Sequence, residues 1–156
     1  MLMKRKKYLI LLMFLFLSCQ EGLAPTEKAI IKGKISFVEN LPPDSLIKDL
    51  RVVAFNDYPP KDIVSEVLTG NAIFTESLLP IRNNQCDYLI EIDKLPATIS
   101  YLVVARQYGT LFEWDVVGIY SNDTINYTPE KIFFSKPTTI NIDFIVDFSK
   151  KLPQPF

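Results

Sequence analysis

Few residues in this sequence could do chemistry, and the cysteines are the first of them. The chain has 156 residues, two cysteines and no histidine. Without histidine there is no Ser-His-Asp or Cys-His catalysis, and the commonest zinc ligand is missing. Ser18 and Cys19 stand directly after the uncharged run 8–17, which follows four basic residues at positions 4–7. A basic segment followed by a short apolar run is typical of an export signal.

The uncharged run is too short to be a permanent membrane anchor, because a spanning helix needs roughly twenty apolar residues. Ser18 and Cys19 resemble the lipobox of bacterial lipoproteins, in which a small residue precedes the cysteine that is lipidated and becomes the mature N-terminus. Phe16 departs from the Leu that is usual there. The resemblance implies a signal peptide at 1–18 and a lipidated N-terminus and tether at 19–28. Two alternatives are an ordinary signal peptide with an incidental cysteine and an uncleaved anchor.

The lipoprotein resemblance also implies a place in the cell. Gln20 follows the cysteine, whereas the family's inner-membrane members often have Asp there, so we expect an outer-membrane protein. Removal of the four basic residues at positions 4–7 would leave 13 basic against 18 acidic residues. Nucleic-acid binding normally requires a basic face, so no nucleic-acid partner is expected, and the lipid must hold the protein on the membrane.

The other groups with chemical potential have simpler interpretations. Cys86 precedes an alternating run and is expected to pack as a small apolar side chain. The oxygen-rich loop 122–126 could suit calcium, but an ordinary polar turn explains it better, and no metal or cofactor is predicted. Four carboxylates are expected to lie on solvated strand edges and turns, although an enzyme would need such a pair in a cleft: Glu91, Asp93, Glu113 and Asp115.

Aromatic residues cluster between positions 108 and 127, around one expected loop end. Exposed aromatic rings can anchor a protein partner or stack on sugar rings. Trp114, the single tryptophan, could pack between two sheets or form an exposed contact. The candidate binding surface consists of Tyr108, Phe112, Trp114, Tyr120 and Tyr127.

Side chains that alternate with period two predict strands along the whole domain, since successive residues of a strand point to opposite faces. The run 29–38 places Ile31 and Ile35 on one side and Lys32 and Lys34 on the other. The run 139–148 is predicted as one long final strand. Further strands are predicted at 49–57, 63–68, 72–78, 87–92, 99–107 and 111–120, the last with a bulge at Gly118.

The strands at 87–92 and 99–107 are predicted to form a hairpin, and 121–130 a long polar loop. No segment after the signal peptide shows a helical period. Seven or eight short strands with proline-rich turns predict an all-β fold, an antiparallel β-sandwich over residues 29–150 with a C-terminal tail at 151–156.

The segment 88–105 resembles the transthyretin-like sandwich, also called the carboxypeptidase-regulatory-like or prealbumin-like domain. Tyr88, Leu95, Pro96, Tyr101 and Ala105 match the family pattern, and Ala97-Thr98 replaces its usual turn glycine. The opening Gly33–Phe37, the run 52–55 followed by Pro59-Pro60, and the final strand also fit. Such domains mostly serve as binding, spacer or accessory modules.

These observations lead to three hypotheses of function. The first is a lipid-anchored, non-catalytic module whose aromatic surface contacts another envelope protein. The alternative is a glycan-binding surface lipoprotein, which needs at least two exposed coplanar aromatic rings. An enzyme, the third, would need a carboxylate pair in a cleft, and no catalytic residue is predicted.

Overall fold

Two four-stranded sheets pack face to face in the computed structural model, which describes residues 27–38, 41–81 and 83–155. The predicted signal peptide, Cys19 and residues 19–26 of the tether lie outside the described residues. The all-β prediction is confirmed. The described residues form ten strands rather than seven or eight: β1 Ala29–Phe37, β2 Asp49–Phe55, β3 Ala72–Phe74, β4 Gln85–Ile92, β5 Ala97–Ile99, β6 Tyr101–Gln107, β7 Trp114–Ile119, β8 Ile132–Phe134, β9 Thr139–Asn141 and β10 Phe144–Val146.

The first sheet has the order β10-β1-β4, with β9 also paired to β1, and the second has the order β3-β2-β6-β7. A two-stranded ribbon of β5 and β8 completes the fold. The β1–β4 pair and every pair of the second sheet are antiparallel, but β9 and β10 both run parallel to β1. The sandwich therefore contains two parallel strand pairs, whereas the sequence had predicted only antiparallel ones.

Two hydrophobic clusters hold the layers together. The inner cluster lies between the sheets and includes Ile31, Ile35, Ile90, Leu102 and Val104. The outer cluster covers the far face of the second sheet. Because β6 contributes to both clusters, its residues 101–105 are all buried. Burial of each large apolar side chain in these clusters stabilises the fold by roughly 1.5–3 kcal/mol relative to leaving it in water. The outer cluster consists of Val53, Phe55, Ile63, Ala72, Tyr101, Val103, Ala105, Val116 and Leu152.

One segment predicted as a strand is a short helix, α1 (Ile63–Leu68). The Asp62 carboxylate caps it by accepting the Ser65 N–H at 2.8 Å, and Gly70 follows it with a φ of 76°. Ile63 and Glu66 are buried on one side, which is a helical spacing. The alternation in this six-residue run was too short to distinguish a strand from a helix, and the cap and the outer cluster favour the helix.

The predicted hairpin of 87–92 and 99–107 is wrong. β4 pairs with β1 in the first sheet, whereas β6 lies between β2 and β7 in the second. The connection between them crosses from one sheet to the other and contains β5, which pairs with β8. β6 is buried on both faces because the inner cluster packs on one face of the second sheet and the outer cluster on the other.

The predicted final strand is broken into β9 and β10, because the chain bends inward at Ile142. The Ile142 carbonyl lies where a side chain at Gly33 would be: an added Cβ would stand 1.9 Å from its oxygen. The buried Tyr88 hydroxyl donates to that carbonyl at 2.8 Å. The Asp143 carboxylate accepts the Lys34 N–H at 2.8 Å.

The two ends of the sandwich are named here after β1. At the Ala29 end lie the start of β6, the end of β7 and the β5–β8 ribbon. At the Phe37 end lie the β6–β7 connection and Phe148, whose ring stacks on Phe37 at 6.3 Å. Nine residues of β1 separate the ends by about 30 Å. The predicted bulge is found at Val117, beside Gly118, where the β6–β7 register shifts.

Candidate functional site

The β6–β7 hairpin carries the most exposed of the predicted aromatic residues, at the Phe37 end. Its connection, residues 108–113, is closed by a hydrogen bond from the Tyr108 N–H to the Glu113 carbonyl at 3.1 Å. The Glu113 carboxylate also accepts the Thr110 N–H, and this hydrogen bond lowers the pKa of Glu113. Gly109 leaves room for that carboxylate, since an added Cβ would lie 2.3 Å from Oε2.

Side chains from both strands reinforce this turn. The Trp114 indole Nε1 donates to the Leu111 carbonyl at 2.7 Å, and Gln107 Nε2 donates to the Thr110 carbonyl at 2.8 Å. The turn is thus held by its own hydrogen bonds, while its two largest apolar side chains face solvent. Leu111 is 61% exposed and Phe112 is 73% exposed. An ordered turn that displays apolar side chains loses little conformational entropy on binding.

Arg106 orders Tyr108, the second exposed aromatic at this end. Its guanidinium lies 5.9 Å from the centre of the Tyr108 ring and 5.6 Å from that of Phe148. The Asp115 carboxylate, opposite Arg106 on β7, forms a salt bridge with the guanidinium. The Tyr108 ring is therefore supported from one side and exposed on the other. Such cation–π contacts contribute about 0.5–1 kcal/mol at exposed sites.

The five predicted aromatics do not form one surface. Tyr108, Phe112 and Trp114 lie at the Phe37 end, whereas Tyr120 and Tyr127 follow β7 at the Ala29 end. Six residues of strand separate Trp114 from Tyr120, a distance of about 20 Å. Closeness in sequence could not reveal this, because β7 carries the chain from one end of the sandwich to the other.

Three of these aromatics, Trp114, Tyr120 and Tyr127, are partly buried. Trp114 and Tyr127 pack against the outer cluster, and Tyr120 packs against the inner one. Trp114 therefore lies on the outer face of the second sheet and not between the sheets. Its indole contributes to the architecture of the hairpin turn, which leaves Tyr108 and Phe112 as the accessible rings.

Sequence reasoning missed the aliphatic part of this site. Leu111 is as accessible as its aromatic neighbour, and three more exposed apolar residues lie on the β1–β2 connection at the same end: Val38, Leu41 and Leu46. Lys48 N–H donates to the Gln107 carbonyl at 2.8 Å, which joins that connection to the hairpin. The signal that could have revealed these aliphatic residues is the apolar pair Leu111-Phe112, which stands in a turn, where polar residues are usual.

A groove of about 990 Å³ runs along the outer face of the first sheet, between β1, β4 and the β3–β4 connection. Glu91 and Asp93 line it, and both carboxylates contact the Lys28 ammonium. The hydrogen bond to Glu91, then that to Asp93, raises the pKa of Lys28 to about 12. These two carboxylates are thus exposed and ion-paired, whereas Asp115, which is ion-paired with Arg106, is partly buried.

The oxygen-rich loop is an ordinary turn, as expected. The Asp123 carboxylate accepts the N–H groups of Ile125 and Asn126, both at 2.9 Å. These bonds, with that of Asn126 first, lower the pKa of Asp123. Within 27–38, 41–81 and 83–155, no group of three or more cysteine or carboxylate side chains could hold a metal ion.

Cys86 packs as predicted, on the inner face of β4 within the inner cluster. Burial, with a smaller contribution from the Asp87 charge, raises the pKa of its thiol to about 11. A thiol with such a pKa is almost entirely protonated at neutral pH, and the protonated form is a poor nucleophile.

No helix among the described residues is long and apolar enough to cross a membrane. No known protein family, curated protein or solved structure matches this chain.

Proposed function

We propose that this protein is a lipid-anchored, non-catalytic module of the bacterial cell envelope that contacts another envelope protein through the Phe37 end of its sandwich. The observation that carries the proposal is the ordered β6–β7 turn with Leu111 and Phe112 exposed. Large apolar and aromatic side chains on a rigid element are the usual anchors of a protein interface. Cys19 at the end of the export signal supports the lipid anchor, and Gln20 after it supports the outer membrane.

The fold proposed for this module is transthyretin-like. Three of the residues that match the family pattern lie in strands of the two facing sheets, Tyr88 in β4 and Tyr101 and Ala105 in β6, with Leu95-Pro96 in the connection that crosses between them. The resemblance favours a binding or accessory role over catalysis. The exposed end of the hairpin is compatible with that role because it supplies a contact surface without a catalytic group.

Site-specific photocrosslinking in living cells tests the proposed contact. A photoreactive amino acid at Phe112 should yield one discrete protein adduct, whereas the same probe at Leu89 should yield none. Leu89 is also exposed, but it lies on β4 opposite Lys32, away from the Phe37 end. Introducing Leu111→Ser should weaken the adduct at position 112. Adducts of equal strength at both positions, or none at position 112, would contradict the proposal.

With the captured partner purified, Phe112→Ser should weaken binding by about 2 kcal/mol, roughly thirtyfold in Kd. The folded domain should be unaffected, since Phe112 is exposed and belongs to neither hydrophobic cluster. Leu89→Ser is the matched control and should leave the Kd unchanged.

A glycan is the second candidate partner, because two accessible rings, Tyr108 and Phe112, lie on the same hairpin. Sugar rings stack on aromatic faces, so a glycan should depend on Tyr108 and Phe112 and tolerate Leu111→Ser. A protein partner should be sensitive to Leu111→Ser. The two candidates are therefore distinguished by how well single variants at Tyr108, Phe112 and Leu111 are retained on immobilised envelope polysaccharide.

A further inference from the structure

We propose that the Ala29 end of the sandwich is a membrane-contact face, on which Leu68, Ile125 and Phe133 insert into the lipid surface. This inference rests on the proposed lipid anchor at Cys19. It adds an orientation: the domain docks on the bilayer that holds its lipid, and the β6–β7 hairpin points away from that bilayer.

The position of Cys19 in the chain favours the Ala29 end as the end that faces the membrane. Ala29 begins β1, and Cys19 precedes it by ten residues. Ten residues span at most about 35 Å, so a lipid at Cys19 keeps the Ala29 end close to the bilayer. The hairpin lies about 30 Å further along β1, at the opposite end.

The β5–β8 ribbon closes this end and turns one aromatic ring outward. Ile99 and Phe134 are buried in the inner cluster, whereas the paired residues Thr98 and Phe133 face away from it. Phe133 is 67% exposed. Because alternate residues of a strand point to opposite faces, burial of Phe134 leaves Phe133 no place in the core.

Two further apolar side chains are exposed at this end, one on a loop and one at the end of α1. Ile125, at the tip of the β7–β8 loop, is 83% exposed, and Leu68, the last residue of α1, is 81% exposed. Both segments are ordered by internal hydrogen bonds. Asp123 accepts two backbone N–H groups of its turn, and Thr69 N–H donates to the Ser65 carbonyl at 3.0 Å. Backbone groups satisfied in this way can approach the headgroup region at low cost.

The chemistry of this end suits the boundary between headgroups and acyl chains. Apolar side chains on loop tips can insert a few ångströms there, and a flanking lysine can stay in the headgroups. Lys131 and Lys136 flank Phe133 and are exposed. Glu130 and Asp57 also lie at this end, so the apolar contact and not net charge must hold the face on the membrane. A second attachment of this kind strengthens the hold that a lipid provides.

Fluorescence from single labelled cysteines tests the orientation. The full-length acylated protein is reconstituted in vesicles of phosphatidylethanolamine and phosphatidylglycerol, with an environment-sensitive dye at Phe133→Cys. Phe112→Cys, an equally exposed phenylalanine at the Phe37 end, is the matched control. We expect a shift of emission to shorter wavelength and loss of intensity with nitroxide-labelled acyl chains at position 133, and neither change at position 112.

The outcomes separate this inference from the anchoring on which it rests. Mass spectrometry first establishes whether Cys19 carries acyl chains; their absence would overturn the anchor and this inference together. An acylated protein whose dye at position 133 remains in water, as accessible to iodide as the dye at 112, would overturn the orientation alone. A dye at 133 that is shielded in cells but not in the vesicles would assign this face to a protein partner, which also overturns it.

Discussion

Carboxylates in the loops of this protein stabilise turns by accepting nearby hydrogen bonds. The pKa values of four of them are lowered for this reason. Asp62 accepts the Ser65 N–H, Glu113 the Thr110 N–H, Asp123 the Asn126 N–H, and Asp147 the Ser149 hydroxyl. Each of these groups favours its ionised form in the folded state, and none is near a histidine or a metal ligand set that would suggest acid–base chemistry.

These lowered pKa values predict how stability depends on pH. A carboxylate whose pKa is lower in the folded state stabilises the fold fully above its unfolded pKa, and this contribution is lost as the pH falls through the folded value. The urea midpoint should therefore be constant near neutral pH and fall below about pH 4. Asp123→Asn should make the acid fall smaller.

Urea unfolding at several pH values, followed by Trp114 fluorescence, measures this effect. The control is Asp57→Asn, which removes one negative charge from an exposed loop. The prediction fails if Asp57→Asn and Asp123→Asn change the pH dependence by the same amount, because net charge rather than the turn would then be responsible.

At the scale of elements, the bend between β9 and β10, which both pair with β1, depends on one missing side chain. Gly33 allows the Ile142 carbonyl to enter the sandwich, where Tyr88 donates a hydrogen bond to it. The two short strands can then both pair with β1 while the chain changes direction between them. If β9 and β10 formed one continuous strand, the Ile142 carbonyl would not be directed at the Tyr88 hydroxyl.

Gly33→Ala should therefore destabilise the fold by about 3 kcal/mol, near the upper limit for overpacking, since backbone must move to admit the methyl group. Gly70→Ala is the comparison. There the φ of 76° imposes strain, but no atom lies within 4 Å of an added Cβ, so we expect a loss of about 1 kcal/mol. Chemical denaturation of both variants measures the difference, and an equal loss in the two would refute the steric account of Gly33.

Strand prediction succeeded at β1 and β2, which begin where their alternation predicts them. It failed at α1, where six residues fit either period. β4 and β6 are strands as predicted, but the prediction that they pair with each other is wrong. Strands adjacent in sequence often pair, and the pattern of a strand does not determine its partners.

For the whole molecule, the proposed lipid anchor predicts that replacing each of the two cysteines of the sequence has a different effect. Cys19→Ala should leave an unacylated precursor and remove the protein from the outer-membrane fraction, whereas Cys86→Ala should stay in that fraction. Metabolic labelling with a fatty-acid analogue and membrane fractionation measure both effects. Continued labelling and outer-membrane location of the Cys19→Ala protein would contradict the anchor.

The proposed arrangement gives the two ends of the sandwich different tasks. The Ala29 end receives the chain from the lipid and carries Leu68, Ile125 and Phe133, while the Phe37 end carries Leu111 and Phe112. In this proposed arrangement the module would hold its partner about one strand length, roughly 30 Å, from the bilayer. The groove on the first sheet lies along the side, between the two ends.

The sequence by itself determined the properties that depend on neighbours within a few residues. These are the all-β class, the starts of β1 and β2, the burial of Cys86 and the polar turn at Asp123, because alternation and turn chemistry are local. Only the tertiary structure decided which strands pair, that Trp114 and Tyr120 stand at opposite ends, and that Leu111 joins Phe112 in the exposed turn. Those features depend on contacts between residues far apart in the chain, and a pattern of neighbouring residues does not contain that information.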